Sequence, residues 1–254
     1  MASNTGVLNE IQIASSIDGK KLSDINFNLQ TMLRRIYPNI SGNDIVEAKH
    51  LDDIYKTDIY VKFNDEKRYI SVKMGHTTEV HSEEIHSFID YLKSKGVSQE
   101  TLDTILFHHY GDGTIDGTGT KRVNTMELTF QYKDRINKAN SELNSSRELI
   151  MDVFERAMVQ GLDPNANRVD YFYFGTPDYG NVVCYHQIST YIHKKYWNYF
   201  NCLHIGPFFI KPRARYVDKD IVSEYRRNLC VFYWPNLAED IDYLGHRFTF
   251  VTSK

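Results

Sequence analysis

With 254 residues the chain can bury a core of its own, and its 41% hydrophobic and 25% charged residues exclude a disordered or fibrous polymer. A formal net charge of −3 excludes nucleic-acid affinity by bulk charge, so any such affinity must come from local basic patches and metal ions. The three cysteines, Cys184, Cys202 and Cys230, lack CxxC spacing and read as buried thiols of a reducing compartment. The opening MASNTGVLNEIQIASS shows neither a signal peptide nor a membrane-spanning run, so a cytoplasmic protein without membrane contact is expected.

In chain order, the segment from Val7 to Pro38 predicts a helix, a break at DGKK, and a second helix that stops before the proline. Leu22, Ile25, Leu29, Met32, Leu33 and Ile36 recur at near-helical spacing and give the second helix a buried face. Three short strands follow, DIVEAK, DIYVKF and RYISVKM. The last two are joined by NDEK, a turn expected to centre near Asp65 and Glu66. A helix is predicted from Ser82 as N-cap to Gly96, then a strand over LDTILFHHY. The expected class is therefore α/β, with a compact unit of helix, three strands, helix and strand over residues 1–110.

The Gly-, Thr- and Asp-rich stretch Gly111 to Arg122 reads as an exposed boundary loop. An α+β region is expected over 111–254, either separate or packed on the same core. It holds two helices near Tyr132–Asn140 and Ser146–Gln160, a hairpin turning at PDYGN, and strands in HIGPFFIKPRAR and NLCVFYWPN.

The hairpin from Lys56 to Gly75 carries the chemical signal. Side chains alternate across a strand, so Ile59, Val61 and Phe63 share one face and Asp58, Tyr60 and Lys62 the other. In the second strand Ile70, Val72 and Met74 are the apolar set, and Tyr69, Ser71 and Lys73 the polar one. Antiparallel pairing puts Asp58 opposite or diagonal to Lys73, with Ser71 on the same face. An acid and an amine so placed could be an ordinary ion pair on a solvated sheet face. They could equally form a metal-dependent phosphodiesterase centre, in which Asp58 binds Mg²⁺ (or Mn²⁺) and Lys73 orients a water and offsets charge on the phosphate.

Placed in this order of elements, TDIYVKF and YISVK resemble the PD-(D/E)XK nuclease superfamily, which includes restriction endonucleases and archaeal-type Holliday junction resolvases. The resemblance covers about the first 110 residues. It implies a restriction-endonuclease-like core and Mg²⁺-dependent DNA cleavage, with Asp58 on the family's Asp and Lys73 on its Lys. Ser71 stands where an acid is usual, and Thr57 replaces the Pro. A hydroxyl is a poorer Mg²⁺ ligand than a carboxylate, so a replacement acid is expected. Glu10, spaced from Gly6 as Gly-x-x-x-Glu on the first helix, is one candidate, and Glu47 on the first strand is the other; either could be simply solvated. His76, Glu79 and His81 match no zinc spacing and are left out of the site.

In the second half, Lys211, Arg213 and Arg215 suit phosphate contact or guard an edge strand, and Lys121 and Arg122 could likewise touch a nucleic-acid backbone. The stretch STYIHKKYWNYF interleaves aromatics with cations, which fits base stacking or a core helix with one basic face. The expected partner is DNA, and a homodimer interface is another use for this half. A nuclease fold that has lost its acid at Ser71 and only binds DNA or a protein is the alternative.

Overall fold

A computed structural model describes residues 5–52, 55–75, 79–119, 121–200, 202–214 and 223–247. In chain order the elements are α1 (Thr5–Ile17), β1 (Lys20–Lys21), α2 (Phe27–Ile36), β2 (Ile45–His50), β3 (Ile59–Phe63), β4 (Glu66–Lys73), β5 (Glu79–Glu84), α3 (Ile85–Ser94) and α4 (Gln99–Tyr110). They continue with α5 (Thr125–Gln131), α6 (Lys133–Leu143), α7 (Arg147–Phe154), β6 (Tyr171–Gly175), β7 (Gly180–Cys184), α8 (Tyr185–Lys194), β8 (His204–Ile205), β9 (Phe208–Pro212), α9 (Glu224–Arg227), β10 (Leu229–Tyr233) and α10 (Leu237–Arg247). The mixed α/β class is as expected. Among the described residues no helix is long and apolar enough to cross a membrane.

The chain divides into two compact units, one of residues 1–78, 158–191 and 236–254, the other of 79–157 and 192–235. Position 110, where the sequence suggests a boundary, falls inside the second unit at the end of α4.

The first unit is built on a six-stranded sheet of order β1-β2-β3-β4-β6-β7. Its pairings are antiparallel except β4 with β6, which run parallel. One face carries the alternating apolar set Val46, Ala48, Ile59, Val61, Ile70, Val72, Tyr173 and Val182. Ile13, Ala14 and Ile17 of α1 and Leu29, Met32, Leu33 and Ile36 of α2 bury against it. Asn26 starts α2 by accepting the Leu29 amide at 2.9 Å, and the Tyr37 hydroxyl ties that helix's exit to the carbonyls of Val61 at 2.9 Å and Glu66 at 3.0 Å.

The β3–β4 turn is one residue earlier than its sequence suggests. Phe63 pairs with Glu66, so Asn64 and Asp65 make a two-residue turn, with Asn64 in the left-handed region at φ 53°. Each residue of β3 therefore faces a partner two positions nearer the turn than expected. An even shift keeps every side chain on its predicted face.

The second unit holds a four-stranded sheet of order β5-β10-β9-β8. Three expectations fail here. Ser82, expected to cap the helix, lies inside β5, because residues 79–84 pair with β10, and the helix cap is Glu84, which accepts the Ser87 amide at 2.9 Å. LDTILFHHY is helical: Ser98 caps α4 at its start and Gly111, at φ 63°, closes it. The strand parallel to β4 is supplied by Tyr171–Gly175 instead. The expected strand guarded by Pro212 is no edge either, since β9 lies between β10 and β8.

Tyr37→Phe should cost about 1 kcal/mol, the net worth of a hydroxyl hydrogen bond. The urea midpoint should fall while the m-value stays constant, because the chain's compactness is untouched.

Candidate active site

Extending the β3–β4 ladder one step past Ile59 and Ile70 sets Asp58 against Ser71 and leaves Lys73 on the diagonal. All three polar side chains meet. Asp58 Oδ2 accepts the Ser71 hydroxyl at 3.0 Å, the Val72 amide at 2.6 Å and the Lys73 ammonium at 3.1 Å. Lys73 Nζ also donates to the Val72 carbonyl at 2.9 Å. Among the described residues no donor reaches Asp58 Oδ1.

The polar face is less solvated than the alternation suggests. Ser71 is only 4% exposed, because β4 is an interior strand whose neighbour β6 sets buried Phe172 beside it. The side chains of Lys73 and Asp58 keep 30% and 18% exposure, enough to meet a ligand from solvent. The Thr57 hydroxyl, next to Asp58 in the chain, is buried without a partner among the described residues.

Helix α1 supplies a second carboxylate. Glu10 Oε2 lies 3.1 Å from His50 Nε2, and His50 Nδ1 lies 3.1 Å from Asp52 Oδ1. The Glu10 carboxyl is held above its ordinary value of 4.5 because burial disfavours its charge, and the negative charge of Asp58 acts in the same sense. The hydrogen bond to His50 and the charge of Lys73 work against that rise. Glu10 is thus close enough to feel both hairpin residues. His50 escapes the sequence reading, since a single histidine ending EAKH has no motif around it.

Glu47 stands elsewhere on the sheet. It is exposed, pairs in register with Lys62 and lies 3.5 Å from its ammonium. Lys62 is four residues along β3 from Asp58, about 13 Å at the rise of a strand.

The oxygen donors of Asp58 and Glu10 suit a hard cation such as Mg²⁺ or Mn²⁺. Among the described residues no group of three or more His, Cys, Asp or Glu side chains is placed to hold an ion.

The basic residues of the second unit are placed unevenly. Lys211 is exposed, with its ammonium 5.7 Å from the Phe209 ring centre and 5.4 Å from that of Tyr233. Arg213 is ion-paired to Glu79. Arg122 points inward, donating to the Ala214 carbonyl at 2.8 Å and to that of His109, and burial lowers its pKa to about 10. Its guanidinium ties the boundary loop to the end of β9, while Lys121 is exposed. Arg215 lies outside the described residues.

No family model matches the chain, and no curated protein matches it in sequence.

The raised Glu10 pKa has a defined pH signature. The folded state holds this proton more tightly than the unfolded chain, so Glu10 contributes most to stability below pH 4.5, and the contribution is lost as pH rises through its folded value. Glu10→Gln has no proton to lose. Its urea midpoint relative to the parent should improve from acid pH to neutrality, and a difference that stays flat with pH would contradict the assignment.

Proposed function

We propose that the chain is a Mg²⁺-dependent DNA endonuclease, restriction-enzyme-like or resolvase-like, that hydrolyses phosphodiester bonds. The observation that carries this reading is the convergence on Asp58 of Lys73, Ser71 and the Val72 amide, with Glu10 within electrostatic reach. The resemblance to the PD-(D/E)XK superfamily is supported by a helix bearing an acid, three antiparallel strands and a further strand parallel to the third.

Asp58 and Glu10 would hold the cation, which when bound polarises the scissile phosphate and lowers the pKa of a water. The chain's own groups do the rest. Lys73, anchored by Asp58 and the Val72 carbonyl, would offset charge growing on the phosphate oxygens. Ser71 donates to Asp58 Oδ2 and helps hold the carboxylate in place. Glu10 takes the part of the acid missing at position 71, with His50 orienting it through the 3.1 Å contact. The exposed cations Lys121 and Lys211 would meet the DNA backbone, and a homodimer would place two such centres on one duplex.

A second reading is supported by Ser71 itself. With its acid absent and Asp58 Oδ2 saturated by protein donors, the same fold could serve as an inactive module that binds DNA or a protein.

Cleavage of linear, branched and single-stranded DNA with and without Mg²⁺ separates the two. Lys73→Ala and Asp58→Asn should each lose at least about a hundredfold in rate, the scale of one positioned acid–base or electrostatic group. Lys73→Ala should keep a near-parental melting temperature, because its side chain lies outside the apolar core. Absence of Mg²⁺-dependent cleavage on every substrate would leave the binding module.

A further inference from the structure

Within the second unit, a pocket of about 420 Å³ opens between α6, the start of α7 and the chain following α8. Its floor is fixed. Asn140 donates to the Cys202 carbonyl at 2.8 Å and accepts the His204 amide at 3.0 Å, and Asn144 accepts the Gly206 amide at 2.7 Å. Arg147 donates to the Lys195 carbonyl at 2.5 Å. The strap from Lys195 to Phe200 is therefore held by side chains at both ends of the pocket.

The rim is a different matter. Tyr196 and Phe200 both line the pocket and are 76% and 71% exposed, so the fold spends two large aromatic rings on solvent. Trp197, by contrast, is buried against Trp234, and Tyr199 packs edge-on to Phe209 at 4.7 Å. The strap thus alternates rings turned inward with rings turned outward, as an extended segment does.

The charged side chain in the pocket's lining is basic, while Glu142 and Glu148 stand next to lining residues in the chain and face a neighbouring pocket that shares Ser145. Among the described residues lining it there is no Asp or Glu, while Arg147 lines it and the Lys195 ammonium lies 4.5 Å from the Trp197 ring centre. Lys211 stands beside Phe209, the ring on which Tyr199 packs. Outward aromatics and a lining without carboxylates do not suit a basic peptide, which would need acidic partners. They suit a π-face attached to a negative backbone.

We infer that this pocket is a stacking site for unpaired nucleobases of single-stranded nucleic acid, with Tyr196 and Phe200 each offering a ring to a separate base and Lys195 and Lys211 serving the flanking phosphates. The choice of nucleic acid rests on the function proposed above. It sharpens that function toward substrates with unpaired nucleotides, such as junctions, flaps or frayed ends.

The test is binding by the full chain, in EDTA so that no cleavage occurs, of a fluorescein-labelled oligo-dT dodecamer, a duplex of equal length and an abasic dodecamer. The parent should bind oligo-dT about tenfold or more tighter than the duplex or the abasic strand. Tyr196→Ala/Phe200→Ala should weaken oligo-dT binding by about tenfold to a hundredfold, the scale of one to two lost stacking contacts. Tyr196→Phe/Phe200→Tyr should restore it, which separates stacking from damage to the fold. Equal affinity for the abasic strand, an unaffected double-alanine variant, or no binding of oligo-dT at millimolar protein would each overturn the inference. The hairpin reading fails separately: base-dependent binding without any Mg²⁺-dependent cleavage keeps the pocket and removes the nuclease, and cleavage that depends on Lys73 without base-dependent binding removes the pocket alone.

Discussion

One carboxylate oxygen organises the end of the first sheet. Asp58 Oδ2 accepts from an amide, a hydroxyl and an ammonium, all within 3.1 Å. A half-buried carboxylate loses much of its hydration, a cost of several kcal/mol if left uncompensated; the enclosed bonds from the Ser71 hydroxyl and the Val72 amide return about 1.5 to 3 kcal/mol each, and the partly exposed Lys73 ammonium, screened by water, adds little. Together these bonds hold the charge in place. They also tie Ser71, Val72 and Lys73 together at the end of β4. Removing the acid would leave those donors to find water, so the geometry of the whole corner depends on it.

The same interaction explains why a serine can stand at position 71. In this register residue 71 is opposite Asp58 and almost fully enclosed. A second carboxylate there would set two like charges side by side in a place with little water, where one of them would have to take up a proton. Serine donates instead and relieves the first charge. Glu10 on α1 is the carboxylate that feels the charge of Asp58, and His50 lies 3.1 Å from it. The repulsion between the two acids shows in the raised pKa of Glu10.

What the sequence revealed and what it hid follow from the range of the forces involved. Strict alternation in β3 and β4 made both faces legible, and because the turn error displaced partners by two, the grouping of Asp58, Ser71 and Lys73 survived it. The helix over Gln99–Tyr110 was misread because most of its residues are buried, so the run from Leu102 to Tyr110 offers no polar stripe. Its β-branched and aromatic residues then imitate a strand. Its caps, Ser98 and Gly111, were the better signal. Ser82 was read as a helix cap, and Glu83 and Glu84 as its first turn, because only pairing with β10, distant in sequence, makes residues 79–84 a strand. The inward turn of Arg122 and the ion pair of Arg213 are likewise tertiary facts. Residue type alone could nominate them for phosphate but could not reveal the carbonyls and carboxylate that occupy them.

The parallel pairing of β4 with β6 has a consequence for the nascent chain. Tyr69 and Asp170 exchange contacts across a gap of 101 residues. At ordinary rates of synthesis that gap takes roughly 5 to 20 s to emerge from the ribosome, and throughout it the outer edge of β4 has no partner. The second sheet fares no better, because β5 waits for a strand that begins at Leu229. Two open edges therefore coexist on one growing polypeptide, each able to pair with another copy on a neighbouring ribosome. The charges of Arg68 and Lys73 along the exposed strand are the kind of residue that discourages such pairing. The side chain read above as serving phosphate chemistry would, for those seconds, keep adjacent newborn chains apart.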